Sequence, residues 1–256
     1  MITAGIDMGL EYVKAVILKD GKVIGRGRGH SGGAARAANA EAAYDGALKS
    51  AGIAAGDIQK VVSTGIGKHD VTFAGACRTE SVTAVKAARF LCPDATTVVD
   101  AGADETLIST IKDDGNPGEV AINQKCAAGI GLFLNYMADR LELSLEEMSA
   151  AAPAPAECRV SDGCVPFAEL DALSLLNHDA APAEIAGAVT LSAAARAAST
   201  INDITVPNLR SVVLCGGLAK NKAFVKALET LTDIAFHIPE DAEYAGAIGA
   251  ALIAAS

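Results

Sequence analysis

The sequence predicts an α/β protein built as two duplicated lobes facing each other across a cleft. Two segments predict it first: "GIDMGLEYVKAVILKDGKVIG" and "VVDAGADETLISTIKDDGNPGEVAI" each read as strand, tight turn, strand, tight turn, strand. Their registers match, since Asp7 stands thirteen residues before Asp20 and Asp100 stands thirteen before Asp113. Repetition at this scale marks a duplicated supersecondary unit. Size agrees: 256 residues, 51% of them hydrophobic, fill one large domain or two lobes at roughly 150 residues per domain.

In the first unit a strand runs into the turn Asp7-Met8-Gly9. A second strand follows from Val13 to Leu18, then the turn Asp20-Gly21 and a third strand. The Ala-rich stretch 31–52 is a strong helix former that stops at Gly52. In the second unit Val98-Val99 leads into Asp100-Ala101-Gly102, an Ile/Leu/Thr-rich strand, the turn Asp113-Asp114-Gly115 and a last short strand. "GLFLNYMADRL" reads as an amphipathic helix. "PFAELDALSLLN" and "PAEIAGAVTLSAAARAASTIND" each open with a proline suited to a first helical turn. Residues 149–160, rich in Ala and Pro, read as a surface loop. Near the end, Val212 to Leu214 run into Gly216-Gly217 and a helix, and "EYAGAIGAALIAAS" closes the chain as a glycine-punctuated helix.

Composition narrows the partners. A net charge of -10 and a pI near 4.9 disfavour nucleic acid and anionic membrane, both of which select basic surfaces. No leader-like segment opens the sequence and no window reaches the roughly 18 apolar residues of a membrane span, so a cytoplasmic protein is expected. Six cysteines, none in a CxxC pair, are too sparse for a disulfide scaffold, which leaves buried thiols or metal ligands. Cys77, Cys92 and Cys215 sit in apolar contexts and read as small hydrophobes. Cys158 is open between a spare ligand and a core thiol, and His30, His69, His178 and His237 share no ligand spacing.

A glycine-rich turn after a strand suits phosphate, because the backbone comes close and its N–H groups face the anion. Two Asp-x-Gly turns and a Gly-Gly turn in one duplicated chain make an ATPase- or kinase-like constellation. In it Asp7 and Asp100 orient water or a hydrated magnesium ion. Gly9, Gly102, Gly216, Gly217 and Asn221 are the candidate nucleotide-binding residues. The competing reading is that the two aspartates only cap tight turns. No G-x-x-x-x-G-K-[ST] occurs, so the chain is not a P-loop enzyme.

Taken together, "GIDMG", "STGIGK", "VVDAG", "NQKCAAGIGLFL", "SDGCVPFAELD", "VVLCGGLAKN" and "EYAGAIGAAL" resemble one ATPase family over about residues 2 to 254. It comprises the activators of 2-hydroxyacyl-CoA dehydratases and the nucleotide-binding subunits of ATP-dependent benzoyl-CoA reductase. It lies within the actin, Hsp70 and sugar-kinase superfamily. The resemblance implies two actin-like (ribonuclease H-like) lobes, 1–95 and 96–239, with helix 240–256 packing back on the first. It also implies ATP, Mg2+ and a [4Fe-4S] cluster shared between two subunits. By position Cys126 and Cys164 would be this chain's ligands; each precedes a helix whose N-terminus favours thiolate. Gly129 and Gly131 would let the backbone pass close to the cluster.

The implied partners are a paralogous ATPase subunit or a second copy of the chain, catalytic iron-sulfur reductase subunits, and reduced ferredoxin. The "ITAGID" opening and "YAGAIGAAL" ending look more like a benzoyl-CoA reductase subunit than a dehydratase activator; the activator and a small-molecule kinase are the alternatives. The chain departs from the family pattern at Leu10 and Glu11, where Ser or Thr usually follows the first Asp-x-Gly, and at Ile130, where a small hydroxyl residue is common. Glu11 beside a triphosphate would be repulsive unless magnesium intervenes. Lys14 and Lys125 are available to phosphate, although a solvated lysine is the commoner case.

Overall fold

A computed structural model of the protein describes residues 1–123, 129–205 and 209–256. The chain opens with three antiparallel strands, β1 (Ile2–Met8), β2 (Tyr12–Lys19) and β3 (Lys22–His30). Asp20 and Gly21 join the last two at φ 48° and 76°. Both central residues of this two-residue hairpin turn are left-handed, the conformation that Asp-Gly tolerates best. Helix α1 (Arg36–Ala51) follows and ends on left-handed Gly52. Strands β4 (Lys60–Thr64) and β5 (Ala76–Cys77) run parallel to β1 on its other side, giving the order β3-β2-β1-β4-β5.

Helix α2 (Glu80–Leu91) leads into the second half, where β6 (Thr97–Ala101), β7 (Thr106–Ile111) and β8 (Pro117–Ile122) repeat the opening meander. Helices α3 (Ile130–Leu141), α4 (Leu145–Ser149), α5 (Val165–Asn177) and α6 (Pro182–Asn202) come next. Then β9 (Val212–Cys215), α7 (Lys222–Thr232), β10 (Phe236–His237) and α8 (Ala245–Ala254) close the fold. The second sheet has the order β8-β7-β6-β9-β10, the same permutation as the first.

Alternation along the strands sorts the core into layers. Ile6, Ala15 and Ile17 pack with Ala40, Ala43 and Ala47 of α1 on the outer face of the first sheet. Val98 and Val213 of the second sheet face inward, onto Ala84, Val85 and Ala88 of α2 and Ala247 and Ile248 of α8. Their neighbours Val99 and Leu214 face the opposite way, onto Ile130, Phe133 and Leu134 of α3, Val189 of α6 and Phe224 of α7. The five layers run helix, sheet, helix pair, sheet, helices. The Thr3 hydroxyl of β1 donates to the Ala251 carbonyl of α8 at 2.9 Å in a buried contact, which fixes the last helix on the first sheet. Burying Ile130, Phe133, Leu134, Met137 and Leu141 gives α3 one apolar stripe at helical spacing, so Ile130 is explained by the core.

Three sequence readings change. Asp7 and Asp100 are the penultimate residues of β1 and β6, not turn residues, so turn capping does not account for them. Loop 149–160 is only partly a surface feature, because Cys158 is buried in the second core and Ala154 packs against it. Burial also pushes the Cys158 thiol up, the behaviour of a core cysteine.

Candidate active site

The two meanders bring equivalent backbone turns to the mouth of one cleft. In the first, Gly9 N–H donates to the Tyr12 carbonyl at 3.1 Å; in the second, Gly102 N–H donates to the Glu105 carbonyl at 2.9 Å. Just before each turn an aspartate is the penultimate residue of its strand. The strand parallel to each ends in a glycine with the same conformation: Gly65 after β4 at φ 88° and Gly216 after β9 at φ 87°. A Cβ on Gly65 would lie 2.5 Å from the Met8 carbonyl oxygen and 2.6 Å from Asp7 Oδ1. On Gly216 it would lie 2.2 Å from the Ala101 oxygen and 2.6 Å from Asp100 Oδ1. These glycines are required both by left-handed backbone and by the approach of the aspartate. Each half therefore contributes a hairpin, an aspartate and a glycine turn seated against that aspartate.

A cavity of about 780 Å³ lies between the halves and is lined by Asp7, Gly9, Asp100, Gly102, Gly216, Gly217 and Asn221. All seven candidate catalytic and nucleotide-binding residues thus share one space. Asn221 also caps α7, its Oδ1 accepting from Phe224 N–H at 2.9 Å. Cys164 is elsewhere, the half-buried N-cap of α5, with its thiol free. Cys126 and Lys125 lie outside the described residues. Among the described residues no three His, Cys, Asp or Glu side chains form a group able to hold a metal ion.

Gly129 and Gly131 are also required by a close approach to the second hairpin. A Cβ on Gly129 would sit 1.8 Å from the Asp104 carbonyl oxygen, and one on Gly131 would sit 2.7 Å from Ala103 Cα. They allow α3 to start hard against the second hairpin.

The two halves differ electrostatically. Lys14, opposite Asp7 in the β1–β2 register, places its ammonium 3.7 Å from the Asp7 carboxylate, with 15% of its side chain exposed. It is an ion-paired cleft residue, not a solvated lysine. The equivalent partner of Asp100 is Leu107. Burial pushes Asp7 above the ordinary carboxylate range and Lys14 pulls it back. Asp100, buried and beside the charge of Asp7, is pushed up to about 7. Burial also raises Glu105, helped by the nearby charge of Glu80.

Sequence reasoning passed over Gly65 and Glu80, which line the cavity together with Asp104 and Glu105. Glu80 begins α2, where the helix dipole suits a carboxylate, and pairs with Lys68 at 3.4 Å. One signal was available for Gly65: "VVSTG", 61–65, and "VVLCG", 212–216, share a V-V-x-x-G pattern. With paired carboxylates, one of them protonatable near neutrality, the cleft is equipped to hold an anion through its turns and to accept a proton from water.

The model of the BadF/BadG/BcrA/BcrD ATPase family matches residues 4–254. The activator of lactoyl-CoA dehydratase from Anaerotignum propionicum is 34% identical over 99% of this chain and 97% of its own length. One benzoyl-CoA reductase subunit from Thauera aromatica is 30% identical over 98% of this chain and 92% of its own. Among solved structures, the activator of the 2-hydroxyisocaproyl-CoA dehydratase from Clostridium difficile with bound ADPNP superimposes with a TM-score of 0.88 at 30% identity. That match covers 99% of this chain and 94% of the other. The matched hairpins, the cavity between them and a family match over nearly the whole length agree, and the chain belongs to the BadF/BadG/BcrA/BcrD ATPase family.

Proposed function

We propose that this protein hydrolyses ATP in the cleft between Asp7 and Asp100 and uses the cycle to drive an electron into a catalytic acyl-CoA enzyme. The observation that carries the reading is the pair of equivalent hairpins, each with its aspartate, facing one cavity. The turns at Gly9, Gly102, Gly216 and Gly217 would hold the triphosphate, and a Mg2+ ion bound with it would neutralise its charge. Asp7, which burial pushes up and Lys14 partly draws back, suits the hydrated ion. Asp100, protonatable near pH 7, suits the attacking water. The ion also offsets the repulsion between the phosphates and the acidic lining.

The free thiol of Cys164, at a helix N-terminus, fits one ligand of a [4Fe-4S] cluster. Cys126 is the second proposed ligand from this chain, and a paralogous subunit or a second copy supplies the other two. Such a cluster would provide one-electron transfer from a reduced ferredoxin to a catalytic iron-sulfur subunit. The 34% and 31% identities to two dehydratase activators, against 30% to the reductase subunit, favour a 2-hydroxyacyl-CoA dehydratase as the partner. The "ITAGID" and "YAGAIGAAL" segments keep benzoyl-CoA reduction as the second reading.

Anaerobic purification with the co-purifying subunits tests this. The expected result is a brown, oxygen-labile complex with about four irons per pair of ATPase chains, with iron lost in Cys164→Ser. A colourless protein that still hydrolyses ATP would keep the ATPase and remove the cluster. Lys14→Leu, which copies the second hairpin into the first, is expected to raise the apparent pKa of Asp7 and weaken Mg-ATP binding roughly tenfold, as losing one charge-assisted contact does. Calorimetric titration against pH checks it.

A further inference from the structure

Helix α3 touches both hairpins at once. Its first turn is bound to the second: Gly131 N–H donates to the Gly102 carbonyl at 3.2 Å and Leu132 N–H to the Ala103 carbonyl at 3.1 Å. Its second turn reaches across the cleft to the first. Asn135 Nδ2 donates to Glu11 Oε1 at 2.5 Å, in a partly buried contact between residues 124 apart in sequence. The backbone carbonyl of Glu11 accepts from Ser31 N–H at 2.9 Å, so the turn it sits on is tied to the end of β3. Both Glu11 and Asn135 line the cavity. The carboxylate that looked ill-placed beside a triphosphate has a partner that holds it to the opposite lobe.

We propose that Asn135 is a positioning residue that ties α3 to the first hairpin through Glu11, so that α3 spans both hairpins and moves with the nucleotide state of the cleft. The inference rests on the ATPase reading above and deepens it. Because α3 begins at Ile130, four residues after Cys126 in sequence, it is also the shortest covalent route from the cleft to a proposed cluster ligand. A hydroxyl at position 11 would be too short to make this reach.

The donor and acceptor can be exchanged. Asn135→Asp sets a carboxylate against Glu11; Glu11→Gln with Asn135→Asp rebuilds the bond in the reverse direction. Amide hydrogen exchange of α3 is followed in the full chain with and without Mg-AMPPNP, alongside nucleotide affinity by titration. Wild type is expected to change its α3 exchange on binding nucleotide. Asn135→Asp is expected to expose the α3 amides of the bound state roughly tenfold more often, as losing a charged hydrogen bond does, and the double variant to recover most of this. Asn135→Ala serves if Asn135→Asp does not fold. Wild-type α3 exchange that ignores bound nucleotide would overturn the proposal, as would a wild-type response in Asn135→Asp or in the Asn135→Ala that replaces it, or a double variant no better than the single. A wild-type chain that binds no nucleotide would instead overturn the ATPase reading, and this inference with it.

Discussion

Asp100→Asn is expected to lower ATP turnover by about a hundredfold or more, as loss of a positioned general base does, and at the same time to make the nucleotide-free protein more stable. The second effect follows from linkage. The folded carboxyl is pushed up to about 7 from an ordinary 3.8, so between those values the folded state keeps a proton that the unfolded chain has released. Unfolding free energy therefore falls as pH rises through that window. Above it the folded protein carries an ionised, desolvated carboxylate. Asparagine removes that penalty, worth on the order of 4 kcal/mol, which for a chain of this size is a rise in Tm of roughly 8–16 °C. The gain should be about twice as large at pH 8 as at pH 5.5. Thermal melts at the two values check it, and equal gains would mean that ionisation of Asp100 is not the source.

The second large effect separates two adjacent glycines. Gly216→Ala forces a Cβ to within 2.2 Å of the Ala101 oxygen at a left-handed φ of 87°. Strain and overpacking together are expected to destabilise the fold by about 3 kcal/mol or more and to displace Asp100 from the cleft. Gly217→Ala meets nothing within 4 Å of the new Cβ, so its fold should be unchanged. Any loss there should be confined to nucleotide affinity, because the methyl group enters the cavity itself. Denaturant melts with nucleotide titrations distinguish them. Equal destabilisation by both would contradict the packing around Gly216.

Much of this arrangement was legible in the sequence because the duplicated meanders use local signals. Asp-Gly turns, β-branched runs and matching thirteen-residue spacings are read within a short window. Strand β4, its glycine and helix α2 were not read, for different physical reasons. The glycine of "VVSTG" acquires its meaning only when β4 lies parallel to β1, a pairing that no local pattern encodes. In α2 the buried face is Thr83, Ala84, Val85, Ala87 and Ala88, small residues with little amphipathic contrast against an Ala-rich background. Lys14 was underrated because its value depends on facing Asp7 across a strand pair, and Glu80 because only the fold carries the start of α2 into the cleft. At Gly129 and Gly131 a close backbone approach was foreseen, while one of its partners, the second hairpin, is a tertiary fact.

The placement of α8 also bears on how the molecule comes into being. The first residue of β1, Ile2, is followed at once by Thr3, whose hydroxyl is satisfied by Ala251, 248 residues further on. The first sheet cannot cover its inner face until the last helix has been made. Strand β1 and α8 therefore have to meet across this long sequence separation before that face is covered and the cleft, which Gly246 lines, is complete. Contacts of such long range are slow to form and leave apolar surface open to aggregation meanwhile. Small residues dominate the inner helix pair, with Ala84, Ala87, Ala88, Ala245 and Ala247 among its buried positions, so the late helix needs little side-chain sorting as it slides into place. An α8 that failed to dock would leave the inner face of the first sheet bare and the cleft without Gly246.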